Sequence, residues 1–397
     1  MPVLHALAHA LSMAFAMGWL LLWPLILGFF ISAVIQAVVS HSEMARLLPD
    51  DRPKSILTAT LLGAASSSCS YAAVAIARSM IRKGADFRAA MAFQFASTNL
   101  VLELGIVLWV VLGWRFTAAA WAGGMVMIVV MTVLLRLFLS RRLEAQARAQ
   151  ADQGAAGRME GHAAMDMSVT TGPLLKRLVS PKGLTAVSHY FWMDCSSLWG
   201  DLLIGLLIAG AVAAWVPSPV WAMVFASGHP LLAKIIGPLL GPLIAAAAFV
   251  CSVGNAPLAA VLWSGGASFG GVTAFIFGDL LIPPILDIYR RYYGLKAAAV
   301  LFAVFYAAMA LAGYAVELAF GALHLVPARL PVQVLEQGPS WNYTTWLNLA
   351  FLALAALLFW RFLKTGGPEM LRHMEHPGDG HDHCGHGSSS HPHHHRH

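Results

Sequence analysis

Charge is what this chain has least of. Only 11% of its 397 residues are Asp, Glu, Lys or Arg, against roughly 25% in ordinary soluble domains. That excludes a conventional water-soluble fold. Cysteine is also sparse. Cys69, Cys195, Cys251 and Cys384 include no C-x-x-C pair, which argues against a redox dithiol or a zinc ribbon. The chain lacks an H-E-x-x-H motif and a Walker-type phosphate loop, so metalloprotease chemistry and ATP-driven pumping by the chain alone are not expected. The first apolar segment has neither a basic leader nor a small-residue cleavage site, so it is read as a retained span, not a removed signal peptide.

What the chain does have is apolar runs. Leu11–Val39, Ala89–Leu112, Ala118–Leu139, Leu202–Val216, Ala297–Leu318 and Leu347–Phe362 alternate with short basic clusters. Several are long enough to cross a hydrocarbon core of about 30 Å, which takes about 20 helical residues. The net charge of +6 therefore belongs to positive-inside loops and signals no nucleic-acid partner. The expectation is an all-α polytopic protein in the lipid bilayer.

An internal repeat organises it. Sliding the sequence along itself until Cys69-Ser70 falls on Cys251-Ser252 also lays Gly84-Ala85 on Gly266-Ala267 and Phe87 on Phe269. Without a gap, the same register lays Ala92-Phe93 on Ala274-Phe275 and Phe95 on Phe277. Duplicated halves are a common transporter plan, with the site at the repeat interface. Charge predicts how the halves sit. If 55–82 and 237–265 are both re-entrant hairpins, the loops 40–54, 82–88, 141–182 and 290–296 and the tail share one side with most Lys and Arg. Only Arg115, Lys234 and Arg329 are left opposite. If both segments cross fully, the bias vanishes. Three spans and one hairpin per half make the second half inverted, with one extra C-terminal span. The expected organisation is a first membrane repeat over 1–140, a cytoplasmic His/Met-containing linker over 141–185 and a second repeat over 186–325. A loop and final span over 326–364 and a disordered His-rich cytoplasmic tail over 365–397 follow. The N-terminus is expected outside the cell membrane.

The hairpin tips carry the candidate chemistry. Cys69 and Cys251 are soft ligands at symmetric positions, suited to a thiophilic solute or soft metal; two small buried side chains are the plainer alternative. Ser68, Ser70, Ser252 and Asn255 add polar contacts or helix caps. Intramembrane carboxylates are functional suspects: Asp279 first, as it follows the second tip, then Glu103, with Asn99 one turn before it, and Asp201, which also reads as a charge at a helix start. Tyr190, Phe191, Trp192 and Trp199 fit an interfacial aromatic belt, with Asp194 and Cys195 beside them on an interfacial helix or at an entrance. Glu317 has no assignment. In the tail, His381, His383, Cys384 and His386 form a low-complexity metal-binding pattern.

Two motif stretches carry a resemblance. "CSVGNAPLAAVLWSGGASFGGVTAFIFGDLLIPPIL" and "SSCSYAAVAIARSMIRKGADFRAAMAFQFAST" resemble the two signatures of the predicted permease family that includes the ArsP organoarsenical efflux permeases. The likeness covers most of residues 10–320. It implies a plasma-membrane permease and, for the arsenical branch, export of trivalent organoarsenicals held by thiols, here Cys69 and Cys251. The family's first tip often reads Cys-Ser-Cys-Gly and then Pro, where this chain has Cys69-Ser70-Tyr71-Ala72, so a second thiol is missing there. The expected function is secondary active export of a small soft or thiophilic solute, with no enzymatic activity, no cofactor and no nucleic acid, and with room for a homo-oligomer. The competing classes are a membrane-embedded thiol oxidoreductase, a metal-binding accessory protein anchored by its spans, and a permease for an unrelated solute.

Overall fold

A backbone in lipid must satisfy its own hydrogen bonds, and a helix does so within one segment. The computed structural model of the chain is helical throughout its described residues, which are 2–38, 50–66, 70–82, 84–153, 174–215, 220, 229–248, 254–329, 341 and 343–369. Helices α1 (Pro2–Val38), α2 (Pro53–Ser66), α3 (Ser70–Arg82), α4 (Phe87–Asn99), α5 (Leu102–Leu112), α6 (Trp114–Phe138) and α7 (Arg141–Gln153) are followed by the short α8 (Leu174–Val179). Then come α9 (Pro181–Trp215), α10 (Pro230–Ala248), α11 (Asn255–Gly265), α12 (Phe269–Ile276), a 3-10 turn (Phe277–Leu281), α13 (Pro283–Tyr293), α14 (Leu295–Ala322) and α15 (Tyr343–Lys364).

Among the described residues six helical segments are long and apolar enough to cross a membrane, and the bent pair Phe269–Leu281 and Pro283–Tyr293, angled by 47°, makes a seventh if it is counted as one span. The expected 202–216 span is the distal part of α9, which already begins at Pro181. Asp201 is therefore inside a helix and not at its start, and its side chain lies outside the described residues. Helix α10, the first arm of the expected second hairpin, has 19 residues and by length alone reaches about 28 Å.

The element boundaries repeat as the sequence does. Asp86 caps α4, accepting from the Arg88 and Ala89 amides. Ser268, at the matching position of the second repeat, caps α12 by accepting from the Gly271 amide. The turns before these caps need a positive φ, and Gly84 (96°) and Gly266 (112°) supply it, at little steric cost because glycine has no Cβ. Packing repeats too. Gly63 lies against Ala96, and their counterparts Ala245 and Gly278 lie against each other. Phe95 meets Phe305 edge-on with centroids 4.6 Å apart; Phe277, the counterpart of Phe95, packs on Gly123.

Contacts sort the loop ends into two groups. At one end Asp51 pairs with Arg136 at 2.8 Å, Arg88 with Glu144 at 3.3 Å, Arg148 donates to Ala85 O, Gln150 to Arg290 O and Arg291 O, and Arg361 to Pro181 O. At the other end Phe116 packs on Trp263 and Phe269, Arg329 donates to Gly266 O, and Glu317 accepts from the Gly270 amide at 2.6 Å with Lys234 3.8 Å away. Glu317 thus receives its assignment, a cap on α12. Both outer ends of α2–α3 lie in the first group, and both outer ends of α10–α11 in the second.

Helices α1 and α9 run antiparallel. The Trp215 indole donates to Ala6 O, Gly210 packs on Ala14 and Gly18 on Leu206, Phe191 meets Phe29 edge-on, and Asp194 accepts from Ser32. This pairing overturns part of the aromatic-belt expectation. Tyr190 and Phe191 are buried in protein, and only Trp199 of that group is strongly exposed, at 67%. The apolar side of α9 faces α1, so the aromatic run fills a helix–helix seam. Amphipathic α7 straps the first end. Arg78, fully buried on α3, donates from Nε and Nη2 to Ala151 O (3.0 and 2.8 Å) and lies over the Tyr292 ring at 4.2 Å.

Candidate functional site

The two broken spans create the site. Helix α4 ends at Asn99; Val101 is extended (φ −79°, ψ 147°), and α5 starts without a side-chain cap. The corresponding segment tightens into the 3-10 turn, extends at Ile282 (φ −64°, ψ 142°) and restarts on Pro283-Pro284. The prolines dictate that break: the residue before proline is pushed out of the helical region, and proline supplies no amide for the ladder. Pro283-Pro284 is a signal for this break that the sequence itself carries. Irregular backbone at membrane depth is tolerated where it is buried in protein or lines a cavity.

Asp279 sits in the 3-10 turn with no exposed surface. Its Oδ2 accepts from Ser70 Oγ at 2.5 Å, and its Oδ1 lies 3.5 Å from Asn99 Nδ2. Ser70 is the first residue of α3, so the start of a helix, with its positive dipole end, faces the carboxylate. Asn99 Nδ2 also donates to Thr98 Oγ1 at 2.9 Å, while Asn99 Oδ1 has no hydrogen-bond partner among the described residues. Two residues far apart in the chain, one from each repeated segment, thus share a hydrogen bond. The buried Gln94 amide of α4 donates to the Tyr289 hydroxyl of α13, again between segments.

Asn255 does not act as the helix cap that was one of its two expected roles. The residue preceding α11 is Gly254, which is itself helical in φ and ψ, so Asn255 is in the first turn and caps nothing. Its side chain is completely buried, and neither Oδ1 nor Nδ2 has a hydrogen-bond partner among the described residues. Buried amides left in this state are costly.

Glu103 is buried at the start of α5, pressed against Gly28 of α1. Its neighbour is thus α1, whereas Asp279 is held by Ser70 of α3 and Asn99 of α4. Cys69, Ser68, Cys251 and Ser252 lie outside the described residues, as do His381, His383, Cys384 and His386. Among the described residues no three His, Cys, Asp or Glu side chains are grouped to hold a metal. Sequence reasoning gives Asp194 little weight, yet it is buried between α1 and α9, accepting from Ser32 Oγ (3.1 Å) and Gln36 Nε2 (2.9 Å). Nothing in the local sequence marks it, because its partners lie in the other repeat.

Interrupted spans around a buried polar site recur in secondary transporters. The family model described as "predicted permease", of ArsP type, matches residues 6–318, and the chain belongs to that family. It is 55% identical over 348 residues to a Mycobacterium tuberculosis protein, Rv2963, whose name describes it as a permease; the match covers 87% of this chain and 86% of the relative. No solved structure matches the chain.

Proposed function

We propose that the protein is a secondary active permease that exports a small soft or thiophilic solute, such as a trivalent organoarsenical. In this reading two inverted halves each send a re-entrant hairpin to a shared centre. The observation that carries it is the Ser70–Asp279 hydrogen bond: the tip of one half's hairpin rests on the broken span of the other. Carried across the repeat register, that contact pairs Ser252 with Ser97, so the second tip is expected beside Thr98 and Asn99. Supporting the inversion are the antiparallel α1–α9 pair and the two sets of loop ends, which give each hairpin both ends on one side and hold most Lys and Arg on a single, cytoplasmic side.

The mechanism follows from these positions. Cys69, Ser68, Cys251, Ser252 and Asn255 face the solute, with the thiols giving soft contacts. Asp279 binds the coupling proton. Ionised, it holds Ser70 by a charge-assisted bond and keeps the first tip seated; protonated, it loosens that tip, and one half rocks against the other. Glu103 and Asp201 are secondary proton sites. Uptake of a trivalent arsenical into everted membrane vesicles tests the thiol contacts. Cys69→Ser and Cys251→Ser are each expected to reduce it about tenfold, the equivalent of about 1.4 kcal/mol of binding. Unchanged uptake in both variants removes arsenical recognition by these thiols.

A further inference from the structure

Helix α15 lies outside the duplicated segments, and nothing in the transport reading uses it. Its contact with α1 is unusual in kind. The Asn348 side chain, with no exposed surface, accepts from the Trp23 backbone amide through Oδ1 (3.0 Å) and donates through Nδ2 to Trp19 O (2.8 Å). Trp19 and Trp23 stand four apart, so these are the acceptor and donor of one rung of the α1 ladder. One carboxamide spans that rung. The carboxamide in this orientation serves both groups, since Trp23 N–H needs an acceptor and Trp19 C=O needs a donor.

The position along α1 gives the contact its meaning. Pro24 follows immediately and is interior to the helix. It contributes no amide to the carbonyl of Leu20, and its ring crowds that carbonyl, so the helix is weakest here. Phe351, one turn along α15, stacks on Trp23 with centroids 6.1 Å apart. On one side of the weak point, Ala14 and Gly18 pack against Gly210 and Leu206 of α9. On the other, Gly28 presses on Glu103, at the restart of the broken span, and Ser32 and Gln36 hold Asp194. A change in bend at Pro24 moves Gly28 against the α4–α5 break.

We infer that Pro24 is a hinge in α1 and that α15 sets its angle through Asn348, a positioning residue for the α4–α5 break. Ordinary interhelical polar contacts join one helix surface to another; this one takes up both groups of a ladder rung beside a proline.

The test uses the full chain, purified in detergent and reconstituted, with Asn348→Leu and Pro24→Ala. Hydrogen exchange over residues 18–27 is measured alongside transport of a trivalent arsenical, with kcat and KM separated and thermal unfolding recorded. Asn348→Leu is expected to change exchange in 18–27, leave it unchanged at both ends of α1, and lower kcat about tenfold with KM shifting alongside it, as hinge lesions far from the chemistry do. Pro24→Ala restores the missing amide; it is expected to slow exchange in the same window and also lower kcat. If Asn348→Leu does not accumulate, Pro24→Ala alone decides. Wild-type exchange and wild-type kcat in Pro24→Ala overturn the hinge. A lowered melting temperature in Asn348→Leu with exchange in 18–27 and kcat unchanged reduces Asn348 to an anchor and overturns the inference. Should no variant or wild-type protein carry the arsenical, substrate identity has failed, and the exchange result still decides the hinge.

Discussion

Asp279→Asn is expected to abolish proton-driven accumulation while solute exchange across the same membranes persists. The substitution keeps a neutral oxygen at the Ser70 hydroxyl, so the fold survives while the first tip stays in the loosened state of the protonated acid. It removes the one group in the cluster that binds and releases a proton. Driven uptake is expected to fall about a hundredfold, comparable to losing a hydrogen bond to a buried charged group, which is worth about 1.5–3 kcal/mol. Ser70→Ala provides the complement. It leaves the carboxylate but unseats the tip, so coupling is expected to loosen, with transport running partly without the gradient. Uptake with and without an imposed pH gradient, and counterflow at zero gradient, separate the two. Full driven uptake by Asp279→Asn would remove the carboxylate from coupling.

The second large effect concerns the strap. Arg78→Ala is expected to destabilise the protein by about 3 kcal/mol, since hydrogen bonds to charged groups are worth about 1.5–3 kcal/mol and a desolvated cation–π contact about 2 kcal/mol. Both interactions end on elements other than α3: the carbonyl of Ala151 near the end of α7, and the ring of Tyr292 on α13. Their loss is expected to detach α7, so limited trypsin digestion should cut within 141–153 early. Arg78→Lys is expected to rescue little, because an ammonium cannot reproduce two guanidinium donors and a ring contact together. A melting curve and digestion pattern matching the wild type would show that α7 is held by Arg148 and Gln150 alone.

Much of this arrangement was legible in the sequence because it rests on local signals. The repeat register laid Gly84 on Gly266 and Phe87 on Phe269, which are the positive-φ glycines and the first residues of α4 and α12; the caps between them, Asp86 and Ser268, were not read from the sequence. The loop ends at 82–88 and 290–296, expected from their basic clusters to share a side with the linker, are joined through Arg148 and Gln150. Asp279 stood out because a carboxylate in an apolar run has few innocent explanations. What stayed hidden depends on partners far along the chain. Asp194 looks interfacial until Ser32 and Gln36 meet it. Tyr190 and Phe191 carry the same amphipathic character whether they face headgroups or a second helix. Asn348 is one polar residue in an apolar helix, and its relation to Trp19, Trp23 and Pro24 exists only once α15 docks. The break at Ile282 was within reach, as two consecutive prolines forbid a regular helix there.

The central claim is that the two hairpin tips, entering from opposite sides, meet at one place. Phenylarsine oxide, which bridges two neighbouring thiols, tests it on the native cysteines, with maleimide labelling read residue by residue in the mass spectrometer. The account predicts that one equivalent protects Cys69 and Cys251 together and that the protection is lost from both when either is replaced by serine. Independent labelling of the two thiols, each reached from its own side of the membrane and neither sheltered by the arsenical, would contradict it.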